Sequence, residues 1–303
     1  MGFVLHGWLE TYVGPTIFEL RRAYKTVISM VDMCFVTNLL RLLEGLLTKK
    51  VLTTDLVELL DTFFVWSAVW AFGSPLCMKD NVDYKKEFSN WWKSEHKAVK
   101  FPSRGSVFDY FVDVETRKLE PWSKIVPVVE FAAGSAMNLI TVPTPETVAV
   151  EFIMDMFFAR GWAPMLVGDS GTGKTQQVIG KLRRMVDEGE GEWMFMPINF
   201  NYYTDSGLLQ SIMEQPLEKK AGINFGPPGK AKLVYMVDDL NMPKVDDYGT
   251  QNAISLLRQL VEYGHTYERN KFTLKNINKA QFVACMTPRP ATPRSTRACS
   301  ATS

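Results

Sequence analysis

Eight residues constrain this chain more than any others: Gly168-Asp169-Ser170-Gly171-Thr172-Gly173-Lys174-Thr175. They spell G-x-x-x-x-G-K-[ST], the pattern of a phosphate-cradling P-loop, and their surroundings suit it. A short apolar run, Met165-Leu166-Val167, precedes them, and a helix-forming stretch from Thr175 to Val186 follows. Between a strand and a helix, the glycines let backbone N–H groups turn inward onto phosphate oxygens, and the helix N-terminus adds its partial positive charge. Lys174 then reaches the outer phosphates of a nucleotide such as ATP, and the Thr175 hydroxyl is placed to ligate Mg²⁺. A glycine-rich turn with a surface lysine would carry the same letters, so the motif's partners decide its meaning.

Those partners follow in the next 120 or so residues, where the pattern becomes that of a parallel α/β sheet. Candidate strands are Met165–Val167, Met194–Asn199, Leu233–Val237 and Gln281–Cys285. Between them come an acidic turn, Asp187–Glu192, and a loop, Gly222–Lys230. A helix then covers Tyr248–Tyr263, with Ile254, Leu257 and Val261 on one face. The run Leu233-Val234-Tyr235-Met236-Val237 closes on Asp238-Asp239, the Walker B arrangement, and its unbroken apolar character fits a strand buried on both faces. Its acids emerge at the C-terminal end of the strand, where ligands of such sheets sit. Asp238 is the candidate Mg²⁺ ligand. Asp239 stands where many ATPases of the AAA+ class place a glutamate to orient the attacking water. It is one methylene shorter, and misplacing a base by about 1 Å costs on the order of a hundredfold in rate. Thr287, just past the last strand, is the candidate sensor of the terminal phosphate.

The first 135 residues read as mainly helical. Apolar spacing predicts helices over Thr16–Tyr24, Met30–Leu47 and Leu56–Phe72, the last behind the capping cluster Thr53-Thr54-Asp55. The uncharged stretch Thr62–Met78 is shorter than the ~20 residues a membrane span needs. It meets Gly73-Ser74-Pro75 and reads as a buried helix ending at Gly73. Val82–Lys100 mixes lysines with Tyr84, Phe88, Trp91 and Trp92, but acids interleave and the aromatics share one helical face. An amphipathic helix therefore fits better than a nucleic-acid surface. Val107–Val114 and Lys118–Trp122 suggest a hairpin. A linker with Pro121 and Pro127 follows, then an extended Ile140–Pro145 and a helix over Thr147–Ala159.

A net charge of +1 over 303 residues gives no global field for nucleic acid, and 46% apolar content suffices for two lobes. Cys34, Cys77, Cys285 and Cys299 are scattered as in a reduced protein, and His6, His96 and His265 lack metal-ligand spacing. A secretory leader is not expected at the N-terminus, and His6 breaks the myristoylation pattern after Gly2.

One family unites these features. Val237-Asp238-Asp239-Leu240-Asn241-Met242-Pro243, Tyr248-Gly249-Thr250-Gln251, Leu256-Leu257-Arg258-Gln259 and Tyr263-Gly264-His265-Thr266-Tyr267 resemble the dynein heavy chain motor, axonemal branch, at its third AAA+ module. Leu217–Gly222, Gly226-Pro227-Pro228-Gly229, Trp70-Ala71-Phe72-Gly73, Phe88-Ser89-Asn90-Trp91-Trp92 and Phe108-Asp109-Tyr110 are similar to the same family. The resemblance implies the helical lid of the second module over residues 1–125, a linker over 126–145, and a P-loop AAA+ large lobe over 146–288. Residues 289–303 lack the family pattern and read as a disordered or aberrant tail.

It further implies Mg-ATP bound at a regulatory site, with Val142–Thr147 near the adenine. Partners would be neighbouring AAA+ modules and other dynein chains, with microtubules reached only through other parts of the motor. The location would be the cytoplasm and cytoskeleton, in the axoneme of a cilium or flagellum; no nucleic acid or membrane is expected. Position 287 usually carries Asn in the family, and an arginine finger from the next module is not supplied by these residues. A stand-alone active ATPase and a fragment that binds no nucleotide are the alternative readings.

Overall fold

The computed structural model describes residues 6–47, 57–113, 115–128 and 142–288. They fall into two units that divide after Gly161.

In the first unit a π-helical turn, Leu9–Val13, leads into α1 (Gly14–Ala23), α2 (Asp32–Leu46) and α3 (Val57–Gly73). Helix α3 is the centre of this unit. Phe63, Phe64, Trp66, Val69 and Phe72 are all buried, as expected for a helix apolar on every side. Phe72 stacks on Phe35 of α2 with ring centroids 5.9 Å apart, and Tyr12 and Trp8 lie against Phe64 at 5.7 and 5.0 Å. Each fully buried side chain of this size contributes about 1.5–3 kcal/mol. Among the described residues no helix is long and apolar enough to cross a membrane. The residues of the expected cap Thr53-Thr54-Asp55 lie outside those described.

A two-stranded hairpin follows, β1 (Met78–Lys79) with β2 (Val82–Asp83), which the sequence reading did not anticipate. It turns on Asp80 and Asn81, with φ of 54° and 62°, the left-handed pair that a tight hairpin requires. The Asp83 carboxylate then accepts the Lys85 and Lys86 N–H groups and starts α4 (Tyr84–Glu95). This cap is why the helix begins two residues later than Val82. Tyr84, Phe88 and Trp92 are buried on its inner face, and Trp91 is half-buried.

Residues Val107–Asp109 form a 3₁₀ turn, because Ser106 and Asp109 cap each other reciprocally. The second hairpin is therefore shorter than expected, β3 (Tyr110–Asp113) against β4 (Lys118–Pro121). Indole N–H groups fasten it: Trp66 Nε1 on α3 donates to Tyr110 O, and Trp122 Nε1, just past β4, donates to Phe108 O in the 3₁₀ turn, both at 2.9 Å.

Helix α5 (Pro145–Arg160) is capped by Thr144, and it groups with this first unit. On its apolar side Phe152 meets Trp66 and Trp122 at 6.1 and 5.3 Å, and Arg160 donates to Glu44 O at 2.8 Å.

The second unit is α/β. Strands β5 (Met165–Val167), β6 (Trp193–Asn199), β9 (Lys232–Asp238) and β12 (Ala280–Met286) form one parallel sheet, ordered β5-β12-β9-β6. The helices are α6 (Lys174–Glu188), α7 (Ser206–Glu214) and α8 (Asn252–Tyr263). Ile198, Tyr235, Val237 and Phe282 of the sheet pack with Leu209 and Met213 of α7 and with Ala253, Leu257 and Leu260 of α8.

A second sheet, β10 (His265–Tyr267), β11 (Leu274–Ile277), β8 (Asn224–Gly226) and β7 (Glu218–Lys219), stands in that order. It takes in part of the expected Gly222–Lys230 loop. Helix α6 runs on through Asp187 and Glu188, so only the rest of the expected acidic turn is a turn. Helix α8 starts at Asn252, because Asp246 holds the preceding residues in a turn by accepting the Tyr248 and Thr250 N–H groups. Its buried face is Ala253, Leu257 and Leu260, whereas Val261 is 47% exposed.

Two glycine substitutions separate close packing from open space. A Cβ at Gly73 would collide with the Phe88 and Phe108 rings, whereas one at Gly180 on α6 meets nothing within 4 Å. Gly73→Ala is expected to destabilise by about 1–3 kcal/mol. Gly180→Ala is expected to stabilise by up to about 1 kcal/mol. Urea midpoints of the two variants against the parent check both.

Candidate functional site

Three strand ends converge in the second unit. Strand β5 ends at Val167 and runs into the P-loop, β9 ends at Asp238, and β12 ends just before Thr287. The sheet register fixes their levels: Val167 lies beside Met286, and Asp238 beside Asn199. The Gly168 N–H donates to Met286 O at 3.3 Å, so the loop starts fastened to its neighbouring strand.

Within the loop, Gly171 and Gly173 have φ of 79° and 82°, a left-handed backbone that other residues adopt only under strain. Both have open space around the position of a Cβ. Gly173 is also the N-cap of α6, so the first N–H groups of that helix open onto the loop. Thr172 Oγ1 donates to Asp169 O at 2.9 Å and braces the turn. The Lys174 ammonium donates to the carbonyls of Gly168 and Asp169 at 2.8 and 2.7 Å and to Thr172 Oγ1 at 3.3 Å. The cation is thereby held over the loop's mouth by main-chain oxygens.

Thr175 Oγ1 donates to Asp238 Oδ2 at 2.8 Å. This contact joins the two acids' strand to the helix after the loop, across 63 positions of sequence. A hydroxyl and a carboxylate side by side form a hard oxygen pair of the kind Mg²⁺ prefers.

Asp239 departs from strand geometry, with φ of 53°. Its N–H donates to Asp238 Oδ1 at 3.0 Å. Its side chain is exposed, and its carboxylate accepts no hydrogen bond among the described residues. Thr287 is brought to the same end of the sheet, where its carbonyl accepts Asn241 Nδ2 at 2.8 Å. Val142–Thr147 leads into α5 in the first unit, and Thr147 serves there in the cap with Thr144.

Asn241, Gln251 and Cys285 belong to this region but were not singled out by their chemistry. Asn241 and Gln251 fasten the segment after Asp239: Gln251 Nε2 donates to the carbonyls of Pro243 and Asn241. The Asn241 side-chain oxygen is buried without a hydrogen-bond partner among the described residues. Cys285 is fully buried on β12. Burial pushes its thiol up to about 12, helped by the negative charges of Asp238 and Asp239 and opposed by Lys174. No pattern in the sequence marks a lone cysteine for such a place. Among the described residues no cluster of His, Cys, Asp and Glu could hold a metal by itself.

Comparison with known proteins bears on the whole chain. Residues 129–300 match the family described as the P-loop containing dynein motor region, and residues 5–124 match the dynein heavy chain AAA lid domain. The chain is 44% identical over 280 residues to dynein axonemal heavy chain 9 of Homo sapiens, covering 92% of this chain and 6% of that protein. It is 46% identical over 276 residues to a ciliary dynein beta chain of Tripneustes gratilla, covering 90% of this chain and 6% of that one. It is 40% identical over 286 residues to the flagellar outer arm dynein alpha chain of Chlamydomonas reinhardtii, covering 94% and 6%. The chain thus spans about one-sixteenth of the length of these relatives.

Because its folded-state pKa is raised, the Cys285 thiol stays protonated throughout the neutral range. It gains thiolate character only as pH approaches about 12. Iodoacetamide at pH 8 is expected to alkylate exposed Cys34 readily and to leave Cys285 unmodified until the fold is opened with urea. Peptide mass spectrometry with and without urea checks this.

Proposed function

The chain belongs to the dynein heavy chain family, and on that premise we propose that it is an ATP-binding regulatory segment of an axonemal motor. Mg-ATP binds at Gly168–Thr175, with Lys174 on the outer phosphates and Thr175 and Asp238 as the Mg²⁺ ligands. Hydrolysis here is slow or absent. The observation that carries this reading is the 2.8 Å contact between Thr175 and Asp238, which sets the two oxygen donors together at the N-terminus of α6.

The residues fit a nucleotide chemically. The loop offers main-chain N–H groups, a helix N-terminus and an ammonium to an anion. The magnesium ion would neutralise phosphate charge and fix the nucleotide's orientation. The protein's own part is to bind and orient. Gly171 and Gly173 shape the loop, Lys174 supplies positive charge, and Thr175 and Asp238 hold oxygens at one point.

Asp239 is the candidate base. Its short side chain starts from a left-handed residue and is not held by a neighbouring group among those described. A base must be held near its proton for efficient transfer, so this arrangement favours binding over turnover. Thr287 is proposed as the sensor of the terminal phosphate, at the sheet end where its carbonyl accepts Asn241 Nδ2.

The segment is proposed to combine the lid of the second AAA+ module with the large lobe of the third. Neighbouring modules of the same motor are its proposed partners, and the axoneme of a cilium or flagellum its proposed location.

Titration with a fluorescent ATP analogue in Mg²⁺ tests the binding claim. Lys174→Ala is expected to weaken binding at least tenfold, about 1.4 kcal/mol, and equal weak binding by parent and variant would sink it. Phosphate release is expected near background, with little change in Asp239→Asn. A turnover near the ~10 s⁻¹ typical of enzymes, abolished in Asp239→Asn, would overturn the regulatory assignment.

A further inference from the structure

The loops that follow β6 and β9 line an open cleft of about 340 Å³. Tyr202, Tyr203 and Asp205 line one wall, and Lys244, Asp246 and Asp247 line the other. The walls are joined directly, since the Lys244 N–H donates to Tyr202 O at 3.1 Å. None of these residues has a task in nucleotide binding as proposed above.

The charge of the cleft is negative, with three carboxylates against one ammonium. Two of the acids are fixed in place. Asp205 caps α7 by accepting the Leu208 N–H at 2.7 Å. Asp246 accepts the Thr250 hydroxyl, Thr250 N–H and Tyr248 N–H, which holds its carboxyl below the usual range. Asp247 is exposed and accepts no hydrogen bond among the described residues.

The cleft also carries an aromatic wall. Tyr203, which lines it, is 84% exposed. The rings of Tyr202 and Tyr203 meet edge to face at 5.3 Å.

Carboxylates beside exposed tyrosine rings select one chemistry. A guanidinium stacks on an aromatic face and forks onto a carboxylate at once, which a compact ammonium does less well. The same carboxylates repel the phosphates of nucleic acid. We propose that this cleft docks an arginine-bearing segment of a partner polypeptide. The proposal is independent of nucleotide binding.

The test uses the whole chain and a short fluorescein-labelled peptide of Gly, Ser and three arginines, with a matched lysine peptide. Binding is read by fluorescence anisotropy at constant ionic strength. Saturable binding of the arginine peptide is expected, weakened about tenfold or more in Tyr203→Ala and in Asp247→Lys. The lysine peptide is expected to bind severalfold more weakly, and Lys174→Ala to bind like the parent. Both cleft residues are exposed, and matching melting curves establish that the variants are folded.

Absence of saturable binding overturns the proposal, as does equal affinity in the parent and both cleft variants. Equal binding of the lysine peptide reduces the effect to charge alone and overturns the arginine assignment. Binding that emerges only when Arg289, Arg294 and Arg297 are changed to Ala would make the chain's own basic segment the occupant, and would overturn the claim of a separate partner.

Discussion

Strand β9 lies between β12 and β6 with Leu233 to Val237 almost wholly buried, and this sandwiching dictates where Asp238 can stand. A strand paired on both sides must satisfy every N–H and C=O through its neighbours. A carboxylate inside that ladder would be buried without compensation, at a cost of several kcal/mol. The register avoids this. The last paired position on the β6 side is Asn199 with Asp238, so the acid emerges where the ladder stops. The loop from β5 arrives at the same level because β5 pairs with β12 through Val167 and Met286. The contact between Thr175 and Asp238 is therefore a consequence of sheet register, with the side chains completing what the backbone sets up.

The helical unit follows the same logic with other materials. Helix α3 has no polar side to give to water, so α2, α4, α5 and the β3–β4 hairpin must each contribute a cover. Two indole N–H groups find main-chain carbonyls as they are buried, at Tyr110 and Phe108. That pairing lets Trp66 and Trp122 enter the core without an unsatisfied donor.

What the sequence disclosed and what it hid divide along physical lines. The P-loop, the four strands of the parallel sheet and the apolar helix α3 were legible because each is a continuous local pattern. The second sheet was not, because its strands are two to four residues long and β8 pairs with β11 about fifty residues away. No local period can reveal such pairing. The Asp80-Asn81 hairpin was hidden by the helical pattern that follows it. At the site, Asp238 and Thr175 carried recognisable letters. Asn241 did not, since an asparagine whose amide reaches a strand end looks in sequence like any loop asparagine.

The segment after Asp238 also indicates what kind of site this is. Leu240 N–H donates to Cys285 O at 3.1 Å, Asn241 reaches Thr287 O, and Gln251 ties back to Pro243. Three fastenings hold this backbone to β12 and to the start of α8, using only groups of the protein. Such a frame is set before any ligand arrives, which lowers the ordering cost of binding. Asp239 is the exception within it. Its N–H is committed to Asp238, while its carboxylate projects into solvent from a left-handed residue. Preorganisation therefore extends to the groups that would hold a nucleotide and stops at the group that would activate water. The proposed role, registering a nucleotide without rapid turnover, rests on that asymmetry.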